Sequence, residues 1–205
     1  MSLPTLPGGW TSPAVQRNRV PILEALRPQM PETGGVLEIA AGSGEHSVFL
    51  AQALPGLAWQ PTDGDPAAVA SISAWREAMG PANLLPPRVL DVTEPQDWPV
   101  EPVDAVVCIN MIHISPWIAT EGLMAGAEQV LMAGGLLYLY GPYRERGRAT
   151  APSNAAFDLS LRTRDPSWGL RELEEVVTLA AHHAMRFEDR IEMPANNLSL
   201  IFRRE

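Results

Sequence analysis

The chain has 205 residues, 46% of them apolar, which suits one domain with a sizeable core. Its 15 basic residues, all arginine, stand against 24 acids for a formal net charge of -9. That balance disfavours a nucleic-acid partner, whose phosphates need basic groups in quantity, and the absence of lysine excludes a P-loop lysine or a Schiff-base catalyst.

Cys108 is the single cysteine, so neither an internal disulfide nor a cysteine metal cluster is expected. No apolar run reaches the ~18 residues of a membrane span, and Met1 to Trp10 does not read as a secretory signal. A cytoplasmic protein with no membrane partner is expected.

In chain order, Asn18 to Leu26 reads as a helix. A first strand follows at Gly35 to Ala40, then a helix over Glu45 to Leu54 and a second strand at Leu57 to Thr62. Asp65 is a good N-cap for a helix over Pro66 to Met79 that starts on proline. Strands three and four are read at Arg88 to Val92 and Val103 to Ile109. Ser115 is a cap candidate for a helix over Pro116 to Met132, and strand five is Leu136 to Tyr140. The long connection 143–168 leads to a helix over Leu170 to Met185. The last pattern is a hairpin, Arg186 to Met193 and Leu198 to Arg203 around a Pro194-Ala195-Asn196-Asn197 turn. Strands alternating with helices predict one α/β domain over 1–205: a mostly parallel sheet, helices on both faces and a C-terminal antiparallel hairpin.

The strongest chemical signal is Val36-Leu37-Glu38-Ile39-Ala40-Ala41-Gly42-Ser43-Gly44-Glu45, a strand running into small residues and then a helix. Such a turn lets backbone approach a nucleotide or nucleoside at the carboxyl ends of the strands, or it is simply a tight turn. Asp63, at the end of strand two, can accept hydrogen bonds from both hydroxyls of a ribose, or cap the next helix. Asp91, at the end of strand three, can meet an adenine amino group, or is a turn residue. The third glycine of a dinucleotide fingerprint is missing, which weakens a nicotinamide oxidoreductase reading.

Together with Asp91-Val92, these residues resemble the cofactor site of class I S-adenosylmethionine-dependent methyltransferases. Longer strings sharpen the likeness: Trp59-Gln60-Pro61-Thr62-Asp63, Asn110-Met111-Ile112-His113-Ile114, Pro152 to Asp158, Arg164 to Gly169 and Met193 to Asn197. These look like a methyltransferase family that includes methyltransferase-like 26. The resemblance implies a seven-stranded Rossmann-like fold and S-adenosyl-L-methionine held by Glu38, Ala40, Gly42, Gly44, Asp63, Asp91, Val92 and Asn110. Ala40 departs from the glycine that many such enzymes carry.

Methyl transfer is an in-line displacement that mainly needs alignment. If a base is needed, His113 is the candidate, the alternative being a packing or cofactor-contacting histidine. The segment 143–168 leaves strand five above the crevice and reads as a substrate cover or as a solvated loop with one ion pair. Tyr143 and Asp158 are candidate catalytic groups there, and Asn154 and Trp168 candidate substrate contacts. Phe157 and Leu161, four apart, are expected to pack downwards as a short helix, with Asp158 and Arg162 paired beside them. The expected acceptor is a small molecule; a non-catalytic module that binds the cofactor is the alternative.

Overall fold

A computed structural model describes residue 6 and residues 8–205. The helices are α1 (Pro13–Leu26), α2 (Glu45–Ala53), α3 (Pro66–Met79), α4 (Trp117–Val130), α5 (Pro152–Arg164) and α6 (Leu173–His182). The strands are β1 (Gly34–Ile39), β2 (Leu57–Asp63), β3 (Arg88–Val89), β4 (Val103–Ile109), β5 (Leu131–Gly141), β6 (Met185–Met193) and β7 (Asn197–Arg204). They form one seven-stranded sheet in the order β3-β2-β1-β4-β5-β7-β6. The first five strands are parallel, and β7 runs antiparallel to both of its neighbours. This is the methyltransferase-type Rossmann-like fold.

Side chains alternate across the sheet as pleating requires. Leu37, Ile39, Val106, Cys108, Leu137 and Leu139 pack with α4 and α6. Val36, Ala105, Val107 and Tyr138 pack with α1, α2 and Trp75 of α3. Central strands buried on both faces explain the near-continuous apolar runs in the sequence. Among the described residues, no helix is long and apolar enough to cross a membrane.

Several boundaries differ from those expected of the sequence. β3 stops at Val89, because the Asp91 carboxylate accepts from the backbone and hydroxyl of Thr93 and folds the chain into a turn. α1 starts at Pro13 and continues through Pro21. Ser115 does not cap α4; its hydroxyl donates to the Met111 carbonyl. α6 starts only at Leu173, since Arg171 and Leu173 are held in backbone hydrogen bonds to Arg144. Asp65 caps α3 as expected, accepting from Ala67 N at 2.8 Å.

Ala184 follows the last turn of α6 with φ +53, a conformation that favours glycine. Ala184→Gly is therefore expected to stabilise the protein by about 1 kcal/mol, measured by urea unfolding. An unchanged or lower midpoint would show that the alanine is not strained.

Candidate functional site

The carboxyl ends of β1, β2 and β4 meet around the turn 40–44. Ala40 leaves β1 at φ +54, and the Ala41 amide donates to Thr62 O at 2.9 Å. Gly42, at φ +60, donates its amide to Asp63 Oδ2 at 2.9 Å, and no described atom lies within 4 Å of where its Cβ would stand. Gly44 precedes α2 at φ +89, and a Cβ there would sit 2.8 Å from Ile72 Cα. One glycine therefore faces open space, and the other lets α2 and α3 pack closely. An alanine at φ +54 is strained by about 1–2 kcal/mol, and such strain gathers at functional sites.

Glu38 is buried behind this turn. Its Oε2 accepts from Ser47 Oγ at 2.6 Å and Trp59 Nε1 at 2.7 Å. Burial pushes its pKa up to about 7, the two hydrogen bonds oppose that, and the nearby Asp63 charge adds to it. Asp63 also accepts from the Asp65 amide at 2.9 Å through Oδ1, so it ties two turns together while Asp65 caps the helix. Asp91 is exposed at the start of its own turn. Val92 is half-buried, and its carbonyl accepts from Trp98 Nε1 at 3.2 Å. Asn110 ends β4 at φ +66, with its amide donating to Tyr140 O at 2.8 Å.

Residues 10–12 form a strap across the turn that the sequence does not announce. The Trp10 amide donates to Ser71 Oγ at 2.8 Å, and that hydroxyl donates to Ser43 O at 2.9 Å. The Ser12 amide and Ser43 Oγ both donate to Glu45 Oε2, at 2.6 and 2.9 Å. Nearby, His46 Nε2 lies 2.9 Å from Asn18 Oδ1, and burial together with Arg19 lowers the His46 pKa to about 4.

The candidate catalytic side chains lie deeper than the sequence suggests. His113 is fully buried, and neither ring nitrogen has a hydrogen-bond partner among the described residues. Burial, with Arg171 second, lowers its pKa to about 3. Its ring meets that of Tyr143 edge to face, with centroids 4.8 Å apart. Tyr143 is buried with an unpartnered hydroxyl, and burial raises its pKa well above the usual phenol value. The structure brings these two together but exposes neither to the crevice.

Asp158 pairs with Arg144 and with Arg162, the latter at 3.1 Å, and accepts from the Leu170 amide at 2.8 Å. Burial works to raise its pKa, and these partners outweigh it, so the carboxyl is held below its usual range. The expected pair with Arg162 is present, but Asp158 is also committed to Arg144 and Leu170. Phe157 is 37% exposed while Leu161 is buried, so Phe157 does not pack downwards. α5 turns Asn154, Asp158 and Leu161 inward instead. Asn154 Nδ2 donates to Asn196 O at 2.9 Å. Trp168 is half-buried under the Arg164 guanidinium, 5.2 Å from its ring centroid. Between the segment after β5, α5 and the β6–β7 turn lies a cavity of about 250 Å³ lined by Tyr143, Asn154, Asn196 and Asn197.

A family profile described as "Protein of unknown function (DUF938)" matches residues 10–204. Among solved structures, the chain is similar to an O-methyltransferase family protein from Burkholderia thailandensis, with 14% identity, a TM-score of 0.76, and coverage of 94% of this chain and 60% of that one. Human N-acetylserotonin methyltransferase in complex with S-adenosylmethionine gives 13% identity, TM-score 0.77 and coverages of 93% and 52%. An O-methyltransferase family 2 protein from Planctomyces limnophilus in complex with apigenin gives 19%, 0.77, 94% and 60%. The chain spans 52–60% of the length of these three solved chains. At these identities the likeness shows the fold.

Proposed function

The chain belongs to the DUF938 family, and we propose that it carries out S-adenosyl-L-methionine-dependent methyl transfer to a small-molecule acceptor. The observation that carries this reading is Gly42, open on its Cβ side while Asp63 holds its amide. The solved neighbours with S-adenosylmethionine or apigenin support it. The shared strings from Trp59 to Asn197 extend the proposal to kinship with the family that includes methyltransferase-like 26. A cytoplasmic setting belongs to the same reading, in keeping with a buried free thiol at Cys108.

S-adenosyl-L-methionine, when bound, supplies a methyl group on a sulfonium. In this proposal Ala40, Gly42 and Gly44 present backbone to the cofactor. Glu38 supplies negative charge behind the turn, and Asp63 accepts from ribose hydroxyls with the lone pairs that Gly42 and Asp65 leave free. Asp91 and Val92 flank the base, and Asn110 lies at the crevice end of β4.

Asn154 and Trp168 belong to the wall of the acceptor site. His113, Tyr143 and Asp158 take positioning roles. An imidazole whose conjugate acid has a pKa of about 3 is a weak base for a hydroxyl, so alignment carries the rate.

Calorimetry with S-adenosylhomocysteine and NAD tests the reading. Binding of the former alone is expected, and NAD binding without it would overturn the proposal. Asp63→Ala is expected to weaken S-adenosylhomocysteine binding by about tenfold or more, since hydrogen bonds to a charged group contribute about 1.5–3 kcal/mol. An affinity within twofold of the parent removes Asp63 from the site. Release of S-adenosylhomocysteine from the methyl donor in a metabolite pool tests turnover and separates an enzyme from a binding module.

A further inference from the structure

A second cavity, of about 660 Å³, opens between the end of α5, the start of α4 and α6, along which it runs from Glu172 to His182. Arg144, Arg146, Arg162 and Arg171 line it, against the carboxylates of Glu172 and Glu175. In a chain with 24 acids and 15 bases, this is a local reversal of charge.

Much of its hydrogen-bonding capacity is uncommitted. Arg171 makes no ion pair among the described residues; its Nε donates to Ile112 O at 2.9 Å, and its Nη2 to Ser115 O at 2.6 Å and Ser167 O at 3.0 Å. No hydrogen bond within the described chain uses its Nη1. Burial and the like charge of Arg162 lower the Arg171 pKa. Arg162 spends only Nε on Asp158. Arg144 is committed to Asp158 through Nη2, and its Nη1 lies 3.9 Å from Glu172, beyond hydrogen-bond reach. The Arg146 backbone amide donates to Glu174, and its guanidinium makes no ion pair among the described residues.

Arg146 and Arg162 are exposed, so water serves their open donors. The four crowded guanidinium groups, only partly offset by Asp158, repel one another and leave a positive potential that an anion relieves. Arginine forks match oxyanions, and Arg146, both Nη groups of Arg162 and Nη1 of Arg171 together offer more open donors than one carboxylate accepts. We propose that this cavity binds a multivalent oxyanion of the phosphate class, as inorganic phosphate or as the phosphate group of a small phosphomonoester. Glu172 and Glu175, also in the lining, oppose an extended polyanion. The proposal is independent of the methyl-transfer reading.

The test is calorimetric titration of the full chain with inorganic phosphate, glycerol phosphate and acetate at fixed ionic strength. Saturable one-site binding of either phosphate species, and none of acetate, is expected. Tighter binding of glycerol phosphate assigns the site to phosphomonoesters; equal or weaker binding assigns it to free phosphate. Arg146→Gln and Arg162→Gln, each tested separately, should weaken binding by about tenfold or more. Arg88→Gln, on exposed β3, should leave it unchanged. Absence of saturable binding overturns the proposal, as does indifference to both cavity variants or an equal loss in Arg88→Gln.

Discussion

Glu38→Gln is expected to make the unliganded protein more stable at alkaline pH and, on the proposed function, poorer at holding its cofactor. The Glu38 carboxyl is raised from 4.5 to about 7, chiefly by burial. Between those values the native state binds more protons than the unfolded chain, so its stability falls as pH rises. Each tenfold change in proton affinity is worth about 1.36 kcal/mol, so keeping Glu38 buried costs about 1 kcal/mol at pH 5 and about 3 kcal/mol at pH 8.

Glutamine keeps an oxygen for Ser47 and Trp59 and removes that cost. The stability gap between variant and parent should therefore widen by about 2 kcal/mol from pH 5 to pH 8 in urea unfolding. A gap that stays flat would show that Glu38 titrates alike in the folded and unfolded chain. Binding supplies the opposite sign. A cationic cofactor favours the carboxylate, so parent affinity for S-adenosylmethionine should fall about tenfold for each step of one in pH below 7. The variant should bind weakly and without that slope.

Gly126→Ala should destabilise the protein by about 3 kcal/mol or more, a loss on the scale of disturbing a buried tryptophan. Helix propensity alone points the other way, since alanine is favoured over glycine by about 1 kcal/mol in a helix interior. The packing decides. A methyl at Gly126 would overlap the ring of buried Trp98, and one at Gly122 would strike the Val92 carbonyl. Trp98 in turn donates to Val92 O at 3.2 Å, so these two α4 glycines form the bed for the 92–98 loop. Urea unfolding reads the loss, and trimming the ring in Gly126→Ala/Trp98→Leu should recover part of what the methyl costs. A stabilised Gly126→Ala would mean that Trp98 can move freely.

The sheet was legible because β1, β4 and β5 bury both faces and read as apolar runs, and because Asp65-Pro66 and the 194–197 turn carry local chemistry. The glycine turn and Asp63 were legible for the same local reason. α5 was legible only in part. The spacing of Phe157 and Leu161 and the Asp158–Arg162 pair pointed to a short helix. Its length and its inward face were hidden, because Asn154 and Asp158 turn inward to partners Asn196, Arg144 and Leu170 elsewhere in the chain. For His113 the sequence left a base and a packing histidine both open, since apolar Ile112 and Ile114 flank it between polar Asn110 and Ser115, and its burial follows the packing reading. The strap at 10–12 is held through backbone amides of Trp10 and Ser12, which composition does not reveal.

The strand order sets the timing of assembly. β7 is last along the chain yet lies inside the sheet, between β5 and β6, with Leu200, Ile201 and Phe202 fully buried. Until it is synthesised and released into reach, β5 presents an unpaired edge of Leu136 to Gly141, and β6 has no neighbour at all. Residues such as Leu136 and Arg203 must then find each other across most of the second half of the sequence. Long-range pairing of this kind slows folding and prolongs exposure of sticky edges. A nascent chain of this topology therefore keeps the edge of β5 and the whole of β6 unpaired until β7 closes between them.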